Sequence, residues 1–320
     1  MSDGAGHEAT MAEPRISVVI CTYNRAPYLS KALQSLVAQS LPRECFEILV
    51  VDNVSTDNTR QVVLEEFSHV QNLRYVYEPV QGANQARNTG RRESRGAYIA
   101  YMDDDVIVSP QWLETILNTF EHTKPQPGCI GGKIEPIWES PRPPWLPNKL
   151  VPFLAMLDLS EEPIILNDQQ WLMSANMAFP KRVLEEMNGF EVYMGRIGNK
   201  LLSMDENLLQ QRLRSSGYTL LYNPRMAVRH HVPQSRLTKK WFLRRMYWEG
   251  ISLAVLQIHQ DSPSAVRRMR MAFYTARQLL LSPRRLVAIA VQTDNADEFA
   301  DKCSTLERLG YLVATLGIAK

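Results

Sequence analysis

The sequence predicts an α/β fold: a mostly parallel sheet flanked by helices, followed by a helical carboxyl-terminal extension. Three observations carry the prediction. Short β-rich apolar runs alternate four times with helical periodicities between Ile16 and Val108, the pattern of a parallel sheet covered by helices. Every apolar run ends on polar or acidic residues, and sheets of this kind bind ligands at the carboxyl ends of their strands. Beyond Val232 the alternation stops, and long helical periods rich in Lys and Arg take over.

Taken in order, Met1 to Pro14 are small and polar, lack the apolar core of a signal peptide, and read as a disordered arm over residues 1–14. Ile16–Thr22 is the first strand, and Tyr23-Asn24-Arg25-Ala26-Pro27 is the turn after it. A helix from Pro27 to Gln39 places Leu29, Leu33, Leu36 and Val37 on one half-buried face. Phe46–Asp52 is a second strand that ends on an acid. The loop Asn53 to Asn58 is dense in turn and cap formers and opens a helix reaching Phe67. Leu73–Tyr77 is the third strand; Gly82-Ala83-Asn84 then leads into a helix through Arg95.

The fourth strand, Gly96–Met102, runs into Asp103-Asp104-Asp105. Adjacent carboxylates repel and cannot enter a core without a neutralising partner. In an extended chain Asp103 and Asp105 share one side and Asp104 points away. Two hard oxygen ligands there suit Mg²⁺ or Mn²⁺ held with a diphosphate. The alternative is a solvated acidic turn, with Ser109-Pro110 opening the next helix.

Composition narrows the classes. The chain has 320 residues, 45% hydrophobic and 22% charged, enough for one large domain with an appendage. A net charge of +2 argues against nucleic acid as a partner. Cys21, Cys45, Cys129 and Cys303 lack paired spacing and read as reduced residues of a cytoplasmic protein, not a disulfide frame or zinc site. The first turn has neither the Gly-rich dinucleotide fingerprint nor a Gly-Lys-Ser/Thr phosphate loop.

Three segments together, Ser17–Arg25, Glu47–Asp57 and the Asp103–Asp105 strand end, resemble glycosyltransferase family 2. The resemblance covers roughly Ile16 to Val232. It implies a GT-A-like fold and inverting transfer from a nucleotide-diphosphate sugar donor, with Mn²⁺ or Mg²⁺ as cofactor. It also implies that Thr22, Tyr23 and Arg25 line the nucleoside pocket, and that Asp52, beside Asn53, binds base or ribose. Asp103, Asp104 and Asp105 would serve the ribose and the metal–diphosphate, with metal at Asp103 and Asp105. Gly82, Ala83, Arg87 and Asn88 match the segment beside the nucleotide-sugar. Asn176 and the Gly189-Phe190-Glu191 turn border the acceptor. The family carries Glu-Asp at the head of a later helix, its second acid being the base; this chain has Asp205-Glu206, so spacing favours Glu206 and residue type Asp205. The reading of either as an acid favoured by the helix dipole stays open. At most one of the adjacent His230 and His231 can join the metal, His231 in this reading, and a structural role for both stays open.

The Pro-rich stretch Pro136–Pro147 cannot be a regular helix. Its Trp138 and Trp145 are either anchors to the body or stacking platforms for a sugar, Trp138 being the acceptor-side candidate. Helical segments at Thr238–His259 and Ser264–Leu281 carry many basic residues interleaved with aromatics. They read either as a surface for an anionic membrane or as a helical lid. The expected organisation is a domain over 15–232 (nucleotide-binding half 15–108, acceptor half 109–232) and a basic helical extension over 233–320. The acceptor would be a carbohydrate or a lipid-linked sugar, and the location cytoplasmic, peripheral at the inner face of the membrane. A non-catalytic nucleotide-sugar-binding or membrane scaffold, and a sugar-phosphate nucleotidyltransferase, are the competing functions.

Overall fold

The computed structural model describes residues 13–198 and 200–318; the expected arm therefore lies almost wholly outside the described residues. Strands β1 (Ile16–Thr22), β2 (Phe46–Asp52), β3 (Leu73–Tyr77) and β4 (Tyr98–Asp103) alternate with helices α1 (Ala26–Val37), α2 (Thr59–Gln61, prolonged by a π turn over Val62–Glu66) and α3 (Ala83–Glu93). They pair in parallel in the order β3-β2-β1-β4. The near-continuous apolar runs are explained by burial on both faces: Val18, Val19, Ile20, Leu49 and Val50 are fully buried.

After the triplet come β5 (Val106–Val108), α4 (Trp112–His122), β6 (Cys129–Gly131), β7 (Ile134–Trp138), β8 (Ile164–Ile165), β9 (Asn176–Pro180), α5 (Lys181–Glu186), α6 (Asp205–Ser215), β10 (Leu220–Tyr222) and β11 (Val228–Val232). β9 joins β4 antiparallel and extends the main sheet to eight strands, while β5, β11 and β7 form a small second sheet. The apolar run Trp171 to Pro180, which reads as a strand in the sequence, is a strand only from Asn176 onward. Before that, the Gln210 side chain takes both backbone groups of Leu172, at 2.8 and 2.9 Å, and replaces a strand neighbour.

Four helices follow: α7 (Lys239–Asp261), α8 (Ala265–Leu280), α9 (Pro283–Ala290) and α10 (Ala296–Thr315). Among the described residues no helix is long and apolar enough to cross a membrane. α7 is no surface helix. It buries Phe242, Met246, Ile251 and Ala254, and packs along α10 with the backbones nearly touching. A Cβ on Gly250 would stand 1.7 Å from the Glu307 carbonyl oxygen, and one on Gly310 would stand 2.0 Å from that of Tyr247. Trp145 packs edge-on against Phe242 and Phe299, which fastens the Pro-rich stretch to these helices as an anchor.

Candidate active site

Parallel register sets the floor of the site, because Thr22 lies opposite Asp52 and Cys21 opposite Asp103. β4 ends at Asp103 and the chain turns through Asp104-Asp105 into β5. Asp104 is therefore not turned away as in an extended chain. It is buried, accepts from Thr22 Oγ1 at 2.7 Å and from Arg25 Nη1 at 3.2 Å. Burial raises its carboxyl pKa against the opposing pull of Arg25. Asp105 is buried as well. It pairs with Arg25, with His230 Nε2 at 3.1 Å and with Arg236 Nη2 at 3.6 Å. Burial disfavours its charge, but His230, Arg25 and Arg236 outweigh that and hold the carboxyl well below the usual range.

His230, and not His231, faces the triplet. β11 runs antiparallel to β5 with His230 opposite Val106, and the His231 amide donates to the Asp105 carbonyl at 2.9 Å. Alternation along the strand then sends the His231 ring the other way, edge-on to Tyr28 and 3.4 Å from Glu139 Oε1. Asp103, Asp105 and His230 each offer a ligand atom, all within 4.8 Å of one another. His230 Nδ1 is a buried nitrogen without a hydrogen-bond partner among the described residues. Two carboxylates and an imidazole make a hard oxygen–nitrogen donor set of the kind Mn²⁺ and Mg²⁺ accept.

On the β2 side, Asp52 accepts from Ser55 N at 2.9 Å and from the Tyr75 hydroxyl at 2.7 Å. Asn53 spends its amide inside the protein: Nδ2 donates to the carbonyls of Glu78 and Val80, and Oδ1 accepts from Gly82 N. It ties the β2 and β3 loops to the start of α3. Asn24 Oδ1 likewise accepts from Thr56 N and Asp57 N, joining the first two loops. Val54 between them holds φ of 61°, a strained conformation for a β-branched residue that the surrounding bonds must maintain. Tyr23 is exposed at the loop surface, and Ala83 N donates to the Arg196 carbonyl.

Arg87 is the hub. Its Nη1 donates to Asp205 Oδ2 at 2.6 Å and Asn84 Oδ1 at 2.8 Å, and its Nη2 donates to Ser174 Oγ at 3.0 Å and lies 4.0 Å from Asp103 Oδ1. Thus α3 joins the triplet to the head of α6. Asp205 is buried in that pair, with Glu206 beside it. Burial first, and then the Asp205 charge, push the Glu206 carboxyl up to about 8.

Several residues expected on the acceptor side serve the scaffold. Asn176 is buried; it accepts from Trp112 Nε1 at 3.0 Å and donates to the Met226 carbonyl at 2.7 Å. The Asn88 side chain clamps both backbone groups of Phe190. Gly189 has φ of 70°, and a Cβ there would stand 2.3 Å from Asn88 Oδ1. Phe190 is buried under the Arg87 guanidinium, and Trp138 ends β7 opposite Val232, half-buried. Arg236, which the sequence does not single out as a site residue, is buried against Asp105. The signal for it was the Pro233 turn, which returns the chain after β11.

Comparison with known proteins agrees with this architecture. The sequence model "Glycosyl transferase family 2" matches residues 17–169. The glucosyl-dolichyl phosphate glucuronosyltransferase of Haloferax volcanii is 26% identical over 296 residues, 87% of this chain and 93% of that protein. Glycosyltransferase AglE of the same organism is 36% identical over 127 residues, and the match spans 39% of this chain and 41% of that one. Among solved structures, the mannosyltransferase PcManGT of Pyrobaculum calidifontis, in complex with GDP-Man and Mn²⁺, superposes with a TM-score of 0.60 at 19% identity. That superposition covers 96% of this chain and 88% of the other. By strand order, acid-tipped strands and these matches, residues 17–169 carry a glycosyl transferase family 2 domain on a fold similar to that of the Pyrobaculum enzyme.

Proposed function

We propose that this glycosyltransferase moves a sugar from a nucleotide-diphosphate donor to an acceptor hydroxyl in a single inverting displacement, with Glu206 as the general base. One observation carries the choice of base. Asp205 is held by Arg87 at 2.6 Å, whereas burial and the neighbouring Asp205 charge push the Glu206 carboxyl up to about 8. A carboxylate with a pKa near the working pH is suited to accept a proton, and one locked to a guanidinium is not. The acceptor oxygen attacks the anomeric carbon, its proton passes to Glu206, and the bond from that carbon to the diphosphate oxygen breaks.

Asp103, Asp105 and His230 would hold a divalent cation, whose chemistry is Lewis-acid neutralisation of the leaving diphosphate. Thr22 and Arg25 fix Asp104 and Asp105 on the donor side, and Asp52 with Tyr23 offers contacts to the nucleoside. Arg87 positions Asp205, and through it the head of α6. In this reading residues 15–108 bind the donor, 109–232 carry the acceptor side, and the helices from 233 onward close the site through Arg236. The Haloferax relative's name, with its dolichyl phosphate, supports a lipid-linked acceptor over a free sugar.

Thermal shift with a panel of nucleotide-sugars, with and without Mn²⁺, tests the donor, since a ligand raises the melting temperature by mass action. A metal-dependent shift with one nucleotide class is expected. If every nucleotide-sugar leaves the melting temperature unchanged, the donor assignment fails.

A further inference from the structure

The α8–α9 pair carries an outward face that none of the described residues covers. α8 buries only Ala272, Thr275 and Leu279, and α9 buries no residue. Val266, Met269, Phe273 and Leu280 recur at helical spacing along one side, with Phe273 and Leu280 each 72% exposed. Leu281 and Val287 continue the patch across the turn into α9. Such contiguous apolar exposure marks an interaction surface.

Charge identifies the partner. Between Asp261 and Asp294 the sequence has six arginines and no carboxylate. Arg270, Arg277 and Arg284 are exposed and make no ion pair among the described residues. On α7, by contrast, Lys239 pairs with Asp294 and Arg245 with Glu249. Of the basic residues read across both helices in the sequence, those of α8–α9 are the ones that stand beside the exposed apolar side chains.

We propose that the α8–α9 hairpin docks this protein on an anionic lipid bilayer. Exposed apolar side chains enter the interface while the arginines meet anionic headgroups. A second copy of the chain is the poorer fit, because a two-fold pairing would set the same unpaired arginines against themselves. The proposal goes beyond the transferase reading and stands on residues outside the catalytic cleft.

The test is co-sedimentation of the full chain with vesicles of phosphatidylcholine alone or mixed with phosphatidylglycerol, at low and high salt. Binding to the anionic vesicles is expected, weakened by salt. Arg270→Glu with Arg277→Glu should weaken it at least about tenfold, and Phe273→Ser with Leu280→Ser should do likewise. All four positions are exposed, and unchanged circular dichroism and melting temperature will show that the variants fold. Absence of binding to anionic vesicles overturns the proposal, as does equal binding to neutral ones. Self-association without lipid that Phe273→Ser abolishes would assign the face to a second copy instead. Donor hydrolysis measured in parallel separates the two readings: variants that lose the vesicle but keep hydrolysis bear only on docking.

Discussion

In the proposed mechanism Arg87 and Glu206 hold the chemistry at the scale of single side chains. Glu206→Gln should lower turnover by about 10²–10⁴-fold with donor binding retained, the range for removing a general base. The wild-type rate should climb with pH toward a plateau above about 8, because the carboxyl must lose its proton to act. Stability should move oppositely. The folded-state pKa lies above the ordinary 4.5, so folding favours the protonated form. That contribution is full below pH 4.5 and is lost as pH rises through about 8. Melting curves of Glu206→Gln should therefore match wild type near pH 5 and run higher near pH 9; coincident curves at both would remove the raised pKa. The acid triplet, the strand-end Asp52 and the Asp205-Glu206 helix head were legible in the sequence because local pattern carries them. The choice of His230 over His231, and the inward turn of Arg236, were not. Both depend on the register of β11 against β5, fixed by partners more than a hundred residues earlier.

At the scale of elements, strand–helix alternation was readable because apolar period and turn residues are local signals. The start of the strand at Asn176 was not, since before it a side chain on α6 takes the backbone groups of Leu172 that a neighbouring strand would take. Asn176 itself is a core tie, and Asn176→Ala should cost about 2–4 kcal/mol, leaving the Trp112 indole N–H and the Met226 carbonyl without their partner. Urea melts check this; a cost under about 0.5 kcal/mol would return the residue to the surface. The α7–α10 crossing is a second case. Gly250→Ala places a methyl where the Glu307 carbonyl now lies, so the two helices must separate. A loss of about 2–3 kcal/mol is expected from the overpacking, with transfer activity falling as the Arg236 end of α7 shifts.

For the whole molecule, the proposed reading makes the carboxyl-terminal helices a wall of the site as much as an appendage. α10 seats α7, and α7 continues directly from the turn that buries Arg236 against Asp105. Removing residues 296–320 should accordingly abolish transfer and not merely detach the protein from lipid; a truncated chain with full turnover would show the helices to be dispensable. The Arg25 and Arg236 pairs to Asp105 have one more consequence. With two guanidinium groups already facing its buried carboxylate, the protein carries its own counter-charge. Dialysis against a chelator should then leave the melting temperature within about 2 °C, unlike proteins whose metal is their fold. In the proposed reading a cation would come and go with each nucleotide, and the rate of sugar transfer would follow the supply of free divalent ion while the amount of folded enzyme would not.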